Sequence, residues 1–266
     1  MRTLTFVNLK GGVGKTVSAA NVAHVLAAVH HKKVLLVDAD KQGSASRYFG
    51  LYGEQDGTAM LLLGPGPGAP DIDRLIYRTG CKGLDIITSN MDLYSTDREL
   101  YEDLTNTSGI LAEALGGVRN DYDFCIIDNG PSVDMVTLNV LTAADDVLIP
   151  IRPDEFSFSG LLDLVEQVDA VRESVNPVLT LRGAFFTHWQ NREPFKQARK
   201  SLEDSGICPV FQTAIGYNPK VPESTLEEMP RCAFAPRSWA AIQYKKLTAE
   251  YLALTDSGKG KEGGER

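Results

Sequence analysis

The sequence predicts an α/β protein with three layers, in which helices cover both faces of a doubly wound, mainly parallel β-sheet. Two patterns lead to this prediction. Several short runs are almost continuously apolar, which is typical of parallel strands that are buried on both faces. Longer segments with a helical spacing of apolar residues separate these runs. Because the two kinds of segment alternate along the chain, we expect right-handed crossovers within one sheet.

Seven apolar runs have the length of strands. They are residues 4–7, 34–37, 84–88, 124–127, 147–151, 179–186 and 210–214. Six longer segments have the length and the apolar spacing of helices. They are residues 15–29, 96–115, 133–143, 159–175, 194–204 and 238–254. Pro194 suits the first turn of its helix, where a backbone N–H is not needed.

Composition favours a single globular unit. The chain has 266 residues, of which 43% are hydrophobic and 23% are charged, and these values are ordinary for a globular protein. We expect residues 1–255 to form one domain, since no internal repeat divides them. Residues 256–266 are polar and rich in glycine, so we expect a disordered tail there.

Cysteine usage and hydropathy indicate the compartment. Four cysteines, Cys81, Cys125, Cys208 and Cys232, lie far apart and form no C-x-x-C pair. They therefore suggest neither a disulfide framework nor a zinc or iron–sulfur site. No run of about 18 apolar residues occurs, and no basic segment followed by an apolar run opens the chain. We expect a cytoplasmic protein that is neither exported nor inserted in a membrane.

Charge is unevenly distributed. The formal net charge of −8 argues, for the chain as a whole, against a nucleic-acid binder. Residues 181–246, however, contain ten Lys and Arg against six Asp and Glu. Such a local excess can belong to a face that binds polyanions or to an ordinary solvated surface, and charge alone leaves both interpretations open.

The segment "FVNLKGGVGKT", residues 6–16, joins the first predicted strand to the first predicted helix. Gly11, Gly12 and Gly14 would let backbone N–H groups turn inward around phosphate oxygens, and the amino end of the helix adds partial positive charge. Lys15 would neutralise the β and γ phosphates, and the Thr16 hydroxyl would bind Mg²⁺. The sequence therefore predicts a nucleotide-binding loop.

This loop departs from the common pattern G-x-x-x-x-G-K-[ST] at its first position, which holds Leu9. The neighbouring Lys10 is a second lysine, which an ordinary nucleotide loop does not require. The residue pattern by itself gives no role to Lys10.

Carboxylates follow two of the predicted strands. "VLLVDAD" ends one strand with Asp38 and Asp40, and "FCIIDNGPS" ends another with Asp128. Because parallel strands end at the same edge of a sheet, we expect all three carboxylates beside the glycine loop. Carboxylates in such a place coordinate Mg²⁺ or orient water, and we expect Asp128 to hold the hydration shell of Mg²⁺.

Four segments together carry a resemblance to a known family: "KGGVGKT" (10–16), "LLVDADKQGSAS" (35–46), "IIDNGPSVDMVTLNVLTAADDVLIPI" (126–151) and "APRSWAAIQYKKLTAEYL" (235–252). They resemble the ParA/Soj-type partition ATPases, P-loop NTPases with a deviant Walker A loop that share a superfamily with the MinD-type ATPases and the nitrogenase iron protein. The resemblance covers nearly the whole chain and fits the short forms without an amino-terminal DNA-binding domain. It implies a weak, Mg²⁺-dependent ATP hydrolase that segregates plasmids or chromosomes.

The resemblance also implies residue roles. ATP would join two copies into a homodimer, in which Lys10 of each copy reaches the phosphates bound by the other. Asp40 matches the family aspartate that positions the attacking water, so the implied catalytic residues are Asp40, Lys10 and Lys15. The implied Mg²⁺ site consists of Thr16, Asp38 and Asp128. The implied nucleotide contacts are Lys10, Gly11, Gly12, Val13, Gly14, Lys15, Thr16, Val17 and Asp128.

Two places depart from the family pattern. Lys41 stands where the family has proline after Asp40, and Asn129 and Gly130 precede Pro131 where the family has two prolines. A glycine loosens a switch segment whose movement couples the ATP state to the shape of the dimer. We expect these departures to affect hydrolysis and coupling more than nucleotide binding.

For the basic carboxyl half, the resemblance implies contact with DNA. ATP-bound dimers of the ParA type bind DNA without sequence preference, through Lys and Arg side chains that contact phosphates. The candidate DNA contacts are Lys196, Arg199, Lys200, Lys220, Lys245 and Lys246. Tyr217 stands where many relatives have arginine. The implied partner is a ParB-like protein that stimulates hydrolysis, and the implied location is the nucleoid.

Two other function classes compete with this one. A MinD-type membrane-positioning ATPase, or one that positions a protein complex, is the alternative, but residues 256–266 contain no apolar residue for an amphipathic membrane helix. A metal-cluster carrier of the iron-protein type would need cysteines after the Asp128 strand, whereas Cys125 lies within it. We therefore expect a partition ATPase and no membrane partner.

Overall fold

Seven strands form one sheet within the part of the chain that the computed structural model describes, residues 1–53, 56–64, 71–103, 108–153, 159–217 and 230–259. They are β1 Arg2–Phe6, β2 Val34–Ala39, β3 Ile76–Arg78, β4 Leu84–Ile87, β5 Phe124–Asn129, β6 Asp146–Ile151 and β7 Thr180–Phe186. Their order is β3-β4-β2-β5-β1-β6-β7. Neighbours are parallel except β3 and β4. The predicted doubly wound, mainly parallel sheet is confirmed.

Helices connect the strands and cover both faces of the sheet. In chain order they are α1 Lys15–Ala28, α2 Ser44–Tyr48, α3 Thr58–Leu62, α4 Leu93–Glu102, α5 Ile110–Gly117, α6 Met135–Ala143, α7 Ser159–Ser174, α8 Glu193–Ser205, α9 Arg231–Phe234 and α10 Trp239–Lys259. A 3₁₀ turn spans Ile72–Leu75.

Buried side chains divide into clusters on the two faces. Along β2, Leu36 belongs to the first core cluster, which includes residues of α1 and α10. Leu35 belongs to the second, which includes residues of α4, α5 and α6. Along β6, Leu148 belongs to the first cluster, and Ile149 to a third that packs α7 against β6 and β7. Neighbouring residues of one strand are thus buried on opposite faces, which is the reason for the continuous apolar runs.

Residues 210–214 do not form the predicted strand. The described residues there make an isolated bridge between Val210 and Ala184 in place of a ladder. The carbonyl of Pro209 lies so close to Gly183 that a Cβ on this glycine would be 2.5 Å away, and Gly183 has a φ of +136°. This close approach interrupts regular pairing beside β7. The seventh strand of the sheet is instead β3, which was not predicted. It has three residues, which is too short for a strand pattern to be recognised in the sequence.

The predicted helix 96–115 is two helices. α4 ends at Glu102, where the C-cap residue Asp103 has an extended ψ of 116°, and α5 begins at Ile110. The apolar spacing continued across this break and concealed it. The start of α6 is also shifted, because Asp134 caps the helix by accepting a hydrogen bond from the Thr137 N–H (2.8 Å).

The last helix extends beyond the expected boundary. α10 runs to Lys259, so residues 256–259 of the predicted disordered tail are helical, whereas residues 260–266 lie outside the described residues. Once a helix is established, each added residue gains a backbone hydrogen bond and needs no apolar contact of its own. None of the helices in the described ranges is long and apolar enough to cross a bilayer.

Asp146 connects four elements from a fully buried position at the start of β6. Its carboxylate accepts hydrogen bonds from Arg2 in β1, Arg182 Nε in β7 (2.6 Å) and the Tyr251 hydroxyl in α10 (2.7 Å). Burial alone would raise the pKa of Asp146, but the hydrogen bonds from Arg2, Tyr251 and Arg182 outweigh it and lower the pKa. A charged carboxylate therefore holds the strands and the last helix together.

Removing these bonds should destabilise the fold. We expect Tyr251→Phe to lower the free energy of unfolding by about 1.5–3 kcal/mol, because a buried carboxylate loses a hydrogen bond. Asp146→Asn should cost about 3–5 kcal/mol, because two arginines lose their counter-ion. Urea denaturation at pH 7 measures both changes. Tyr101→Phe is the matched control, since Tyr101 is 78% exposed, and it should leave stability unchanged.

The same variants should show a pH dependence. Because the pKa of Asp146 is lower in the folded state, its contribution is complete above the unfolded-state pKa and is lost as the pH falls through the folded-state pKa. The difference in stability between the wild type and Asp146→Asn should therefore shrink in acid. A difference that stays constant from neutral to acidic pH would contradict this role.

Candidate functional site

The loop between β1 and α1 is held by Asn8 and shaped by glycines. Asn8 Nδ2 donates to the Pro150 carbonyl (2.8 Å), and Asn8 Oδ1 accepts from the Lys10 N–H (2.9 Å). Gly12 and Gly14 have φ values of 72° and 89°, in the left-handed region that side chains disfavour. The turn thus requires glycine at these two positions.

Leu9 occupies the position where the common loop pattern has glycine, and it has a packing role. Its side chain is partly buried against the third core cluster. Val13 is buried as well, and its carbonyl accepts a hydrogen bond from Thr187 Oγ1 (2.9 Å). These apolar residues anchor the loop to the protein, whereas Gly11 and Gly12 are exposed. The departure at Leu9 therefore adds an anchor without changing the glycine turn.

Lys15 is the first residue of α1 and is 7% exposed. Its Nζ donates to the carbonyls of Asn8 (2.8 Å) and Lys10 (3.2 Å), so the ammonium group lies within the curve of the loop. Burial lowers the pKa of Lys15, and the negative charges of Asp128 and Asp40 oppose this effect. Lys10 is thereby fixed at its backbone, because its N–H and its carbonyl both have hydrogen-bond partners.

A cavity of about 450 Å³ lies in front of the loop. The N-cap of α1 is Gly14, which has no side chain to cap the helix, so the first N–H groups of α1 can bind an anion. The volume suits a ligand of nucleotide size. The lining residues are Gly11, Gly12, Gly14, Lys15, Thr16, Val17, Asp40, Ser44, Pro131, Thr187, His188, Ile215, Gly216, Tyr217 and Tyr244.

The part of the cavity wall formed by residues 187–188 and 215–217 was not predicted from the sequence. Thr187 and His188 follow β7, and a bridge between Trp189 and Gly216 brings a second segment beside them. The ring of His188, a non-glycine residue with a φ of 52°, lies 6.1 Å from the ring of Tyr217. The one available signal was that residue 187 follows a predicted strand, and strands of such sheets lead into ligand sites at their carboxyl ends.

The sheet brings the three predicted carboxylates to one edge. β2 and β5 pair with Asp38 opposite Asp128, and β1 pairs with β5 so that Phe6 is also opposite Asp128. Asp40 follows β2 directly and lines the cavity. Asp38 and Asp128 are fully buried and lie outside the cavity lining. The site therefore has one carboxylate at its surface and two beneath it.

Asp128 lies next to Thr16 and Lys15. Within the described residues neither carboxylate oxygen has a hydrogen-bond partner. Burial raises the pKa of Asp128 well above its usual value, and the charges of Asp38 and Asp40 raise it further. The Lys15 ammonium lowers the pKa of Asp128. The Thr16 hydroxyl, which is close but lacks hydrogen-bond geometry, lowers it as well. An unpartnered buried carboxylate beside a threonine hydroxyl fits a Mg²⁺ ion that keeps part of its water shell.

Asp38 is engaged by the protein itself. Its Oδ2 accepts hydrogen bonds from the Ser46 N–H and Oγ, both at 2.7 Å, and its Oδ1 accepts from the Asp40 N–H (3.1 Å). Burial raises the pKa of Asp38 to about 7, while the bonds from Ser46 and Asp40 lower it in part. Asp38 thus fixes the loop that carries Asp40, and a direct metal contact would compete with these bonds.

A metal ion here would depend on more than side chains. No group of three His, Cys, Asp or Glu side chains in the described ranges is arranged to hold a metal ion. Mg²⁺ commonly uses one or two protein oxygens together with water and substrate phosphates. Thr16 and Asp128 fit that mode of binding.

Asp40 lies between two loops. Its Oδ1 accepts from the Gln42 N–H (3.0 Å) and its Oδ2 from Ser44 Oγ (3.2 Å). A Cβ on Gly130, in the segment after β5, would lie 3.6 Å from Asp40 Oδ1. Pro131 follows and lines the cavity. The carboxylate is therefore held at the cavity by hydrogen bonds within its own loop, with Gly130 beside it.

The predicted DNA contacts have different surroundings. Lys196 and Lys200 are exposed on α8, and Lys246 is exposed on α10. Lys245 is partly buried, and its Nζ donates to the Pro236 carbonyl (3.2 Å). Lys220 lies outside the described residues. Only three of these lysines are therefore seen to project into solvent.

Arg199 is packed into the protein. Its guanidinium lies 5.4 Å from the Phe186 ring and 5.0 Å from the Trp189 ring, and it donates to the carbonyls of Phe211 (3.2 Å) and Gln212 (3.3 Å). A phosphate contact would require Arg199 to leave these partners. The resemblance grouped Arg199 with Lys196 and Lys200 as a DNA contact, but it could not reveal the aromatic rings beside this side chain.

Comparison with known proteins indicates the family of this chain. A family model described as an AAA domain matches residues 1–181. The chain is 35% identical to the chromosome-partitioning ATPase Soj of Treponema pallidum, over 95% of this chain and 97% of that protein. It is 33% identical to the chromosome partitioning protein ParA of Caulobacter vibrioides, over 95% of this chain and 94% of that protein.

A solved structure is similar over the same extent. Cobyrinic acid a,c-diamide synthase from Mycobacterium smegmatis with a bound ATP analog and magnesium is 27% identical, with a TM-score of 0.84 over 97% of each chain. The glycine loop, the acids at the sheet edge and the similarity along nearly the whole chain support one assignment. The chain belongs to the family of ParA/Soj-type partition ATPases.

Proposed function

We propose that this chain is a partition ATPase in which ATP and Mg²⁺ close two copies into a dimer that binds DNA without sequence preference. A ParB-like partner then stimulates hydrolysis and releases the DNA, and a plasmid or chromosome moves as a result. The glycine loop carries this proposal, because Lys15 is buried within its curve and Lys10 stands beside it. The similarity to proteins named Soj and ParA supports it.

The cavity lining offers groups that suit the phosphates and the base of ATP. The N–H groups of the glycine turn and the first turn of α1, with the Lys15 ammonium, suit the phosphates. Ile215, Tyr217 and His188 form an apolar and aromatic wall that suits a flat base. The ligand would therefore span the cavity from the loop to this wall.

Four residues of this chain would have distinct roles in ATP hydrolysis. Thr16 and Asp128 would hold Mg²⁺ and its water shell, and the ion supplies positive charge that offsets the charge of the phosphates. Asp40, at the surface of the cavity, would orient the attacking water by accepting a hydrogen bond from it. Lys15 would stabilise charge that develops on the phosphates. The alternative, a MinD-like or cargo-positioning ATPase, would use the same chemistry with another partner.

Nucleotide binding can be tested at Lys15. We expect Lys15→Ala to weaken binding of a fluorescent ATP analogue by at least about tenfold, or about 1.4 kcal/mol, because the buried cation of the loop is removed. Lys82→Ala is the matched control, since Lys82 is exposed in a turn far from the loop in sequence. It should bind the analogue as the wild type does.

A second variant in the same titration tests the metal site. Asp128→Asn should reduce the difference in affinity between Mg²⁺ and EDTA, because the amide is a poorer acceptor for the water shell of the ion. An unchanged difference would exclude Asp128 from the Mg²⁺ site. Unaltered affinity of Lys15→Ala would refute nucleotide binding at this loop.

Dimerisation can be tested at Lys10. Its backbone is fixed by Asn8 and Lys15, next to the exposed Gly11 and Gly12, so a second copy could approach its flexible side chain. We expect Lys10→Ala to bind ATP but to lose the ATP-dependent dimer, as measured by sedimentation velocity in ATP and in ADP. Lys82→Ala should still dimerise in ATP. Full dimerisation of Lys10→Ala would exclude the contact in trans.

Partner choice can be tested by cosedimentation with nonspecific DNA or with anionic liposomes, in ATP and in ADP. We expect capture by DNA in ATP, and capture should weaken as salt rises. Lys196→Ala/Lys200→Ala should reduce the slope of log affinity against log salt by about 0.9 for each phosphate that the protein no longer neutralises. Lys32→Ala/Lys82→Ala is the charge-matched control, with both lysines exposed elsewhere. Capture by liposomes alone would reject the DNA proposal in favour of the MinD-like alternative.

A further inference from the structure

The residue after Asp40 forms an ion-pair cluster that joins distant parts of the chain. Lys41 Nζ lies 2.8 Å from Asp97 Oδ2 and 2.7 Å from Asp134 Oδ2. The side chains of Lys41, Asp97 and Asp134 are 16%, 19% and 14% exposed, so water screens them little. By contrast, the side chains of the ion pair Arg98–Glu102 on α4 are 80% and 61% exposed. Ion pairs that are so exposed contribute little to stability.

Both carboxylates of this cluster are fixed to the amino end of α6. Asp97 Oδ1 accepts from the Val136 N–H (3.2 Å), and Asp134 Oδ1 accepts from the Thr137 N–H (2.8 Å). These bonds satisfy two of the free N–H groups of α6, and the helix dipole favours negative charge there. The amino end of α6 is therefore tied to α4 by Asp97 and capped by Asp134 from the segment that follows Asp128.

The other side of the cluster is the loop that carries Asp40. Lys41 Nζ lies 5.3 Å from the centre of the Tyr94 ring on α4, and Gln42 Nε2 donates to the Tyr94 hydroxyl (2.8 Å). Gly130 lies close against Asp40. The loop after β2 and the segment after β5 thus meet at Asp40 and are joined again by Lys41.

Lys41 remains a cation in this place. Burial alone would lower the pKa of Lys41, but Asp134 and Asp97 outweigh burial and raise the pKa above its usual value. Burial would likewise raise the pKa of Asp134, but Lys41 and the hydrogen bonds from Ser132 and Thr137 lower it. One lysine therefore binds two acidic side chains on different elements.

We propose that Lys41 is a positioning residue for ATP hydrolysis, which holds the Asp40 loop against the segment that follows Asp128 by binding Asp97 and Asp134 together. This inference rests on the proposed function, in which Asp40 orients the attacking water. Lys41 does not line the cavity, so it acts through the backbone of Asp40. Small displacements of a positioned group cost large factors in rate, whereas phosphate binding by the glycine loop does not depend on Lys41.

Lys41→Met tests the role because methionine keeps the apolar stem and removes the charge. We expect kcat for ATP hydrolysis to fall about tenfold, with nucleotide affinity changed less than about threefold. Asp97→Asn should have the same effect, and Lys41→Arg should restore most of the rate. Arg98→Met is the control, since it removes the exposed ion pair of α4 and should change neither value.

Hydrogen exchange without nucleotide provides a readout independent of activity. In Lys41→Met the amides of Gln42 and Gly43, which bond to Asp40, and those of Val136 and Thr137 should all exchange faster. In Arg98→Met these amides should exchange at the wild-type rate. Faster exchange in both segments supports the coupling, and a change in neither or in one alone overturns it.

The two measurements separate the inference from the proposed function. A wild type that does not hydrolyse ATP refutes the proposed function, and exchange then decides the coupling alone. A wild type that hydrolyses ATP while Lys41→Met keeps its full kcat overturns the positioning role. So does a variant that loses affinity and kcat in equal proportion, because that pattern reports damage to the whole site.

Discussion

The parallel pairing of β5 with β1 on one side and β2 on the other is the constraint on which the site depends. In this register Asp128 lies opposite both Phe6 and Asp38, so the loop that follows β1 and the acids that end β2 and β5 meet at one edge. A shift of one residue would turn Asp128 to the other face of the sheet and away from Thr16. The apolar residues before Asp128 prevent that shift, because it would move each of them from the core cluster on one face of the sheet to the cluster on the other face.

Buried charges are balanced in different ways at two neighbouring sites, one around Asp38 and Asp128 and the other around Lys41. Burial raises the pKa of both Asp38 and Asp128, the negative charges of Asp38 and Asp40 raise the pKa of Asp128 further, and Lys15 offsets only part of this effect. Such a site favours any added cation that can reach its oxygens. Around Lys41, by contrast, one cation already lies between two acids that also cap a helix. The first arrangement gains stability from a ligand, whereas the second is complete without one and can serve as a fixed frame.

Sequence patterns predicted the parts of the molecule that depend on local residues. The glycine loop and the acids after β2 and β5 were found because a strand, a turn and a helix start leave local marks. The wall formed by His188 and Tyr217 was missed because its two segments meet through tertiary pairing. Arg199 was expected to contact DNA, although the aromatic rings of Phe186 and Trp189, at the end of β7 and just after it, lie beside its guanidinium. Lys41 was seen as a departure from a pattern, but its partners lie in α4 and before α6 and could not be identified from spacing.

The position of β1 also affects how the protein is made. β1 lies near the middle of the sheet, yet its bonding partners come much later in the chain, and Thr5 is 122 positions from Ile127, whose carbonyl it binds. On the ribosome, the glycine loop therefore emerges long before the strands that support it, and such non-local pairing delays folding. A nucleotide can stabilise the completed sheet but has no formed site to bind on the nascent chain. β1 and the glycine loop therefore cannot form a nucleotide site until β5 and β6 have been synthesised and have paired with β1.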